Sequence, residues 1–181
     1  MNIEIIAGSP RIPSLNARVA KYVHQQLQAT TTHHVGLIEM SKTVLPFIQN
    51  VWTSADKAPE EFRDLAERMF AADAFIISSP EYNGAYSPAM KNLFDHFPKQ
   101  QKKAFGIITS SNGVMGGIRA SQQLMQLVPA LFGIASPFML IVPQADKKFD
   151  ENANLIAPEF EKNVHDFCRE FIWLAEQLKK D

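Results

Sequence analysis

Residues 2–16 read Asn2-Ile3-Glu4-Ile5-Ile6-Ala7-Gly8-Ser9-Pro10-Arg11-Ile12-Pro13-Ser14-Leu15-Asn16. A short apolar run, a predicted strand over 3–7, ends at a glycine. A helical pattern follows over 14–28, with Leu15, Val19, Tyr22, Val23 and Leu27 on one face. A buried strand turning sharply into a helix is the opening unit of a parallel α/β sheet. The turn is also rich in donors. The helix leaves its first amides without partners and places partial positive charge at that end. Ser9, Ser14 and Asn16 add neutral donors and Arg11 a charged one, a set that suits a phosphate. Serine and asparagine also cap helices with no ligand involved, so this loop alone leaves both readings open.

Outward from that unit, strands are predicted over 74–78, 104–109 and 138–142, with a weaker one over 34–38. Helices are predicted between and after them, over 60–72, 88–97, 117–131 and 158–179. The alternation implies a five-stranded parallel sheet with helices on both faces, a three-layer α/β sandwich. Five strands fit the flavodoxin-like order 2-1-3-4-5 better than the six-stranded dinucleotide fold. Residues 1–181 read as a single domain, with 143–158 as a surface loop.

Composition narrows the function classes. The chain has 181 residues, 46% hydrophobic and 20% charged, and a formal net charge of −1, which gives no general attraction to nucleic acid or to an anionic membrane. Cys168 is the lone cysteine, so no disulfide forms within the chain, and a reducing, cytoplasmic setting is expected. No secretory leader and no membrane-length apolar run is read. No histidine, cysteine or carboxylate cluster has metal-ligand spacing, so no metal site is expected.

In an open α/β sheet, ligands bind beyond the carboxyl ends of the strands. Three segments there are unusual. Residues 8–16 lack the Gly-Lys-Ser/Thr ending of a Walker loop and the three glycines of a dinucleotide fingerprint, which narrows the ligand to a terminal monophosphate. Residues 79–88 combine two prolines at 80 and 88, two tyrosines at 82 and 86, and Asn83-Gly84, a stiff and donor-rich edge suited to a flat heteroaromatic ring. Residues 109–117 carry three of the chain's eight glycines, Gly113, Gly116 and Gly117, and are expected to let backbone approach a ligand.

With those motifs in view, the chain resembles the NADPH-dependent FMN reductase family, whose members include FMN, quinone, chromate and azo-dye reductases. The resemblance rests on Gly8-Ser9-x-Arg11-x-x-Ser14-x-Asn16, Pro80-Glu81-Tyr82-Asn83-Gly84, the stretch Ser87-Pro88-Ala89-Met90-Lys91-Asn92-Leu93-Phe94-Asp95, and Ser110-Ser111-x-Gly113-x-x-Gly116-Gly117. It implies that Ser9, Arg11, Ser14, Leu15 and Asn16 surround the phosphate of FMN. It further implies that Pro80, Glu81, Tyr82, Asn83 and Gly84 line the isoalloxazine, with Ser111 and Gly113 on its third side. His96 stands where many relatives have tryptophan and is expected to alter a subunit contact or the pocket rim. Pro13 replaces a small flexible residue and stiffens the turn.

The resemblance implies an oxidoreductase with FMN as cofactor and NADPH or NADH as co-substrate. Electrons pass by a ping-pong cycle to a quinone, free flavin, azo compound or oxidised metal ion. No catalytic residue is assigned, because the cofactor carries the chemistry. The alternative is a non-enzymatic flavodoxin-type carrier; a near-neutral charge and Arg11 argue against it. The expected partners are a small-molecule acceptor and further copies of the chain, as homodimer or homotetramer, with no nucleic acid and no membrane. Trp52, Tyr86, Phe94 and Phe97 are candidates for the apolar subunit contact, with core packing accounting for some of them equally well. His24, His33, His34 and His165 read as solvated, Cys168 as a buried inert thiol and Met115 as a packing residue.

Overall fold

The computed structural model describes residues 1–179. Its main elements are β1 (Asn2–Ala7), α1 (Leu15–Thr30), β2 (His34–Glu39), α2 (Arg63–Ala71), β3 (Ala74–Pro80), α3 (Pro88–Asp95), β4 (Ala104–Ser110), α4 (Ile118–Ala130), β5 (Ile134–Ala135), β6 (Leu140–Val142) and α5 (Glu161–Lys179). The sheet is parallel throughout, in the order β2-β1-β3-β4-β5, with β6 also on β4. This is the flavodoxin-like order expected from the alternation.

The predicted strand over 138–142 needs correcting. The position beyond β4 is shared by two short segments: β5 pairs with Ala104 and Phe105, and β6 with Ile108 to Ser110. Ser136 still donates its amide to the Phe105 carbonyl at 2.8 Å, but Pro137 has no N–H with which to continue. The chain therefore leaves the sheet and rejoins it at Leu140.

Alternation along the strands divides the core. Ile3, Ile5 and Ile76 face Val19, Val23 and Leu27 of α1 and Phe167 and Phe171 of α5. Ile6, Phe75 and Ile77 face Met69, Leu93, Phe94 and Leu124 on the helices of the other layer. Burying each such side chain contributes roughly 1.5–3 kcal/mol, which is why two sheet faces in one apolar run stay committed to strand. One charged pair lies under this layer: Glu4, 4% exposed, takes a two-pronged contact from Arg68 at 3.0 and 2.6 Å, tying β1 to α2.

Residues 143–158 are more than a surface loop. Phe149 is fully buried against Tyr22 and Phe160, with ring centroids 5.5 and 6.3 Å away. A short 3-10 turn at Ala145–Lys147 carries the chain back past the carboxyl end of β4. Among the described residues no helix is long and apolar enough to cross a membrane.

Candidate functional site

The segments after β1, β3 and β4 meet at the carboxyl edge of the sheet. The first is tethered on two sides. Gly8 donates its amide to the Ser78 carbonyl at 2.7 Å, and its own carbonyl accepts from the Ser87 hydroxyl, which also caps α3 by accepting from Met90 N at 3.1 Å. Ser14 is the cap of α1, its Oγ accepting from Ala17 N at 3.2 Å. Arg11 donates its amide to Ser9 Oγ at 3.3 Å, and its guanidinium lies 4.5 Å from the centre of the Tyr82 ring. Ser9 Oγ in turn lies 3.4 Å from the Tyr82 hydroxyl. Among the described residues none accepts from the amides of Ser9, Ile12, Ser14, Leu15 or Asn16. They form a group of backbone donors around a helix N-terminus, with a guanidinium beside them.

Asn16 is used differently. It is 2% exposed, and its carboxamide reaches into the sheet. The orientation that satisfies both ends has the nitrogen donating to Ser78 O at 2.9 Å. The oxygen then accepts from Ser79 N and Ser110 Oγ, both at 3.2 Å, and from Ser78 Oγ at 2.8 Å. One side chain thus ties the start of α1 to the ends of β3 and β4.

In the second segment, Asn83 and Gly84 form a tight two-residue turn, with φ of 52° and 82°, closed by Tyr82 N to Ala85 O at 2.8 Å and the reverse bond at 3.1 Å. Glu81 bridges the cleft to α4. Its Oε2 accepts from Arg119 N at 3.0 Å and Ala120 N at 3.4 Å, which satisfies the first turn of α4. The third segment is tied to residues 142–145, although the amides of Asn112, Gly113, Val114, Met115 and Gly117 find no acceptor among the described residues. The Gly113 carbonyl accepts from Ser111 Oγ, Gln144 N and Gly116 N, and Ser111 exchanges backbone bonds with Val142 and Ala145.

Two of the three glycines there have a packing cause of their own. Gly116 and Gly117 have φ of 61° and 86°. A Cβ on the first would come within 2.7 Å of Ile141 Cγ2 and 2.8 Å of Pro143 N; one on the second would come within 3.0 Å of Thr109 Cβ. At Gly113 a Cβ would meet only Ser111 Oγ, at 3.7 Å.

A cleft of about 210 Å³ opens where the three segments meet. Ser9, Arg11, Ser14, Leu15, Asn16, Pro80, Glu81, Tyr82 and Ser111 line it. Asn83, Gly84 and Gly113 lie outside the lining, on the flanking turns. Sequence reasoning omitted Pro13, Ser110 and Asn112, which also line it. Ser110 stands in the third motif and Pro13 in the first turn, whereas for Asn112 adjacency to motif residues was the only signal.

Other readings change too. His96 is 2% exposed, its Nδ1 2.7 Å from Asn92 O and its ring 4.7 Å from that of Trp52, so it is a core residue away from the rim. Trp52, Phe94 and Phe97 are buried and Tyr86 is half-buried, whereas Val44 and Phe47 are more than four-fifths exposed. His24 and His33 are half-buried and bound to Val35 O and Glu176; Met115 is exposed. Burial pushes the Cys168 thiol up to about 12, which keeps it protonated and unreactive.

The family model described as NADPH-dependent FMN reductase matches residues 1–146. The chain belongs to that family. An FMN-dependent NADPH-azoreductase of Staphylococcus aureus is 29% identical over 177 residues, covering 93% of this chain and 92% of the relative. Among solved structures, the FerB flavoenzyme NAD(P)H:(acceptor) oxidoreductase of Paracoccus denitrificans superposes with a TM-score of 0.79 at 23% identity, over 97% of each chain. A flavodoxin from Pseudomonas aeruginosa superposes at 0.61 with 16% identity, over 95% of this chain and 99% of its own. These last two show the fold. The protein is an NADPH-dependent flavoenzyme with FMN as its cofactor. The donor set fits that group: unpartnered amides and a guanidinium match a phosphate dianion, and the tyrosine-bearing turn of residues 82–85 stands directly against them, with Tyr82 on Arg11 and Ser9.

Proposed function

We propose that the three segments hold FMN and that NADPH and a small-molecule acceptor use one opening in turn, in a ping-pong cycle. FMN, when bound, supplies the hydride chemistry. The amides of residues 9 and 12–16 other than Pro13, with the Ser9 and Ser14 hydroxyls and Arg11, bind the phosphate. Leu15 packs beside it and Asn16 fixes the loop that presents those donors. Pro80, Tyr82, Asn83 and Gly84 form one wall of the ring site and Ser111 and Gly113 the other, with Glu81 as a positioning residue that ties the first wall to α4. The acceptor class is quinone, free flavin, azo compound or oxidised metal ion.

The observation that carries this reading is the group of open amides at the start of α1 with the Arg11 guanidinium beside them, on a cleft that Pro80, Tyr82, Ser111 and Asn112 also line. No acid–base group is poised to act on a substrate: of the charged side chains at the cleft, Arg11 lies on Tyr82 and the Glu81 carboxylate is occupied by α4. The test is initial-rate kinetics of the purified yellow protein with NADPH and a quinone varied together. Parallel double-reciprocal lines are expected; intersecting lines overturn the shared-opening cycle.

The whole chain, 1–181, then acts as one FMN-binding domain, in a cytoplasmic setting suited to its lone buried thiol. The chain associates into a homodimer or homotetramer. The exposed Val44 and Phe47, on a segment bound to α3 through Asn92 Nδ2 to the Leu45 and Pro46 carbonyls, supply the apolar contact in place of the buried aromatics.

A further inference from the structure

A second cavity, of about 380 Å³, shares the wall formed by Arg11, Pro13 and Ser14 with the cleft. The cleft lies over β3 and β4; this cavity lies over β2. Its floor and sides carry four cations, Arg11, Arg18, Lys21 and Lys42, against two carboxylates, Glu39 and Glu151. Glu39 stands at the carboxyl end of β2, with Lys21 Nζ at 3.1 Å and Lys42 Nζ at 2.6 Å on its two oxygens. Burial alone would raise its carboxyl, but the lysine hydrogen bonds outweigh that and hold it below the usual range, so it remains an anion. Two lysines are thus spent on one carboxylate; with Arg11 given to the flavin phosphate, Arg18, Lys21 and Lys42 against Glu39 and Glu151 leave the cavity one positive charge in surplus. Both lysine heads reach solvent, with side chains 43% and 70% exposed, and are free to turn toward an incoming group.

We propose that this basic cavity receives the adenosine 2′-phosphate of NADPH and so distinguishes NADPH from NADH. The 2′-phosphate is the one group by which the two differ, and a dianion needs the charge surplus found here. Glu39 and Ser41 offer acceptors to the ribose hydroxyl that is left. The cleft and the cavity lie on either side of the wall formed by Arg11, Pro13 and Ser14. In this proposal a dinucleotide crosses that wall, with its nicotinamide at the turn of residues 82–85 and its adenylate over β2. This inference rests on the flavin ring occupying the cleft between residues 80–84 and 111–113.

The test is calorimetric titration of the holoenzyme with 2′,5′-ADP, 5′-AMP and inorganic phosphate. Binding of 2′,5′-ADP is expected to be about tenfold tighter than that of 5′-AMP, as for one charge-assisted contact to a phosphate. Lys21→Gln and Arg18→Gln each remove most of that preference. Glu39→Gln acts in the opposite direction, tightening 2′,5′-ADP a few-fold by releasing two lysines from a competing anion. Equal binding of 2′,5′-ADP and 5′-AMP overturns the assignment. So does displacement of 2′,5′-ADP by inorganic phosphate at similar concentration, or a preference unmoved in all three variants. Flavin content is read separately from visible absorbance. Loss of flavin counts against the flavin site, whereas yellow protein without the 2′-phosphate preference counts against the basic cavity alone.

Discussion

The segment after β1 and the segment after β4 look alike in sequence, both short, rich in glycine or serine, and followed by a helix. They are held in different ways. In residues 8–16 side chains make the ties, Ser14 capping α1 and Asn16 reaching the ends of β3 and β4, while five amides at the helix start stay without protein acceptors. In residues 110–117 the ties run through the backbone of Ser111 and the Gly113 carbonyl to residues 142–145, and two glycines are required by their neighbours. The amides of Asn112, Gly113, Val114, Met115 and Gly117 also stay open among the described residues. Open amides occur in both, so the guanidinium and the side-chain ties set the first segment apart. Counting glycines and serines does not show what holds a loop; the fate of each donor and acceptor does.

Four substitutions can break or sharpen that contrast. The largest effect is expected at Gly116→Ala, where positive φ and contact with the Pro143 backbone together cost about 3 kcal/mol or more, a fall of roughly 10 °C in Tm, checked by calorimetry. A Tm unchanged by this substitution would mean that Gly116 is not held against residues 141–143. Asn16→Ala is expected to cost about 2 kcal/mol in urea unfolding, because Ser79 N and the Ser78 and Ser110 hydroxyls lose their buried partner. It also weakens FMN through the loosened loop. Arg11→Ala belongs to the donor side alone. It should raise the FMN dissociation constant about tenfold by fluorescence quenching while apoprotein Tm stays put. A Tm that falls with it would make Arg11 structural. Gly113→Ala is the smallest, under about 0.5 kcal/mol in urea unfolding, since its new methyl meets only Ser111 Oγ at 3.7 Å, an ordinary contact. A loss of several kcal/mol there would mean that this turn is packed as tightly as Gly116.

Much of the fold was legible because the apolar runs are continuous. Residues 74–78 and 104–109 carry no face for water, so they read as central strands of a covered sheet. The run at 138–142 misled because apolar character carries no information on amide donation, and Pro137 interrupts the ladder just before it. The site was legible where a residue's type is its function, as with Arg11 and Ser9. It was less so for Glu81, an apparent ring-site residue that caps α4 across a chain separation of 38 residues. Phe94, Phe97 and Trp52 stayed open between core and contact because an aromatic ring in sequence is equally suited to both; only burial separates the two, and it places them in the core.

The sequence by itself determined the parallel sheet, its order, the three segments at one edge and the family, since hydrophobic periodicity and local motifs are written in neighbouring residues. The tertiary structure alone decided which amides stay open, that Asn16 is bonded into the ends of β3 and β4, that residues 143–158 close over Phe149, and that Arg18, Lys21, Lys42 and Glu39 share a cavity. Each of those depends on groups far apart in the chain competing for the same partner, and which partner wins is set only when the core brings them within reach.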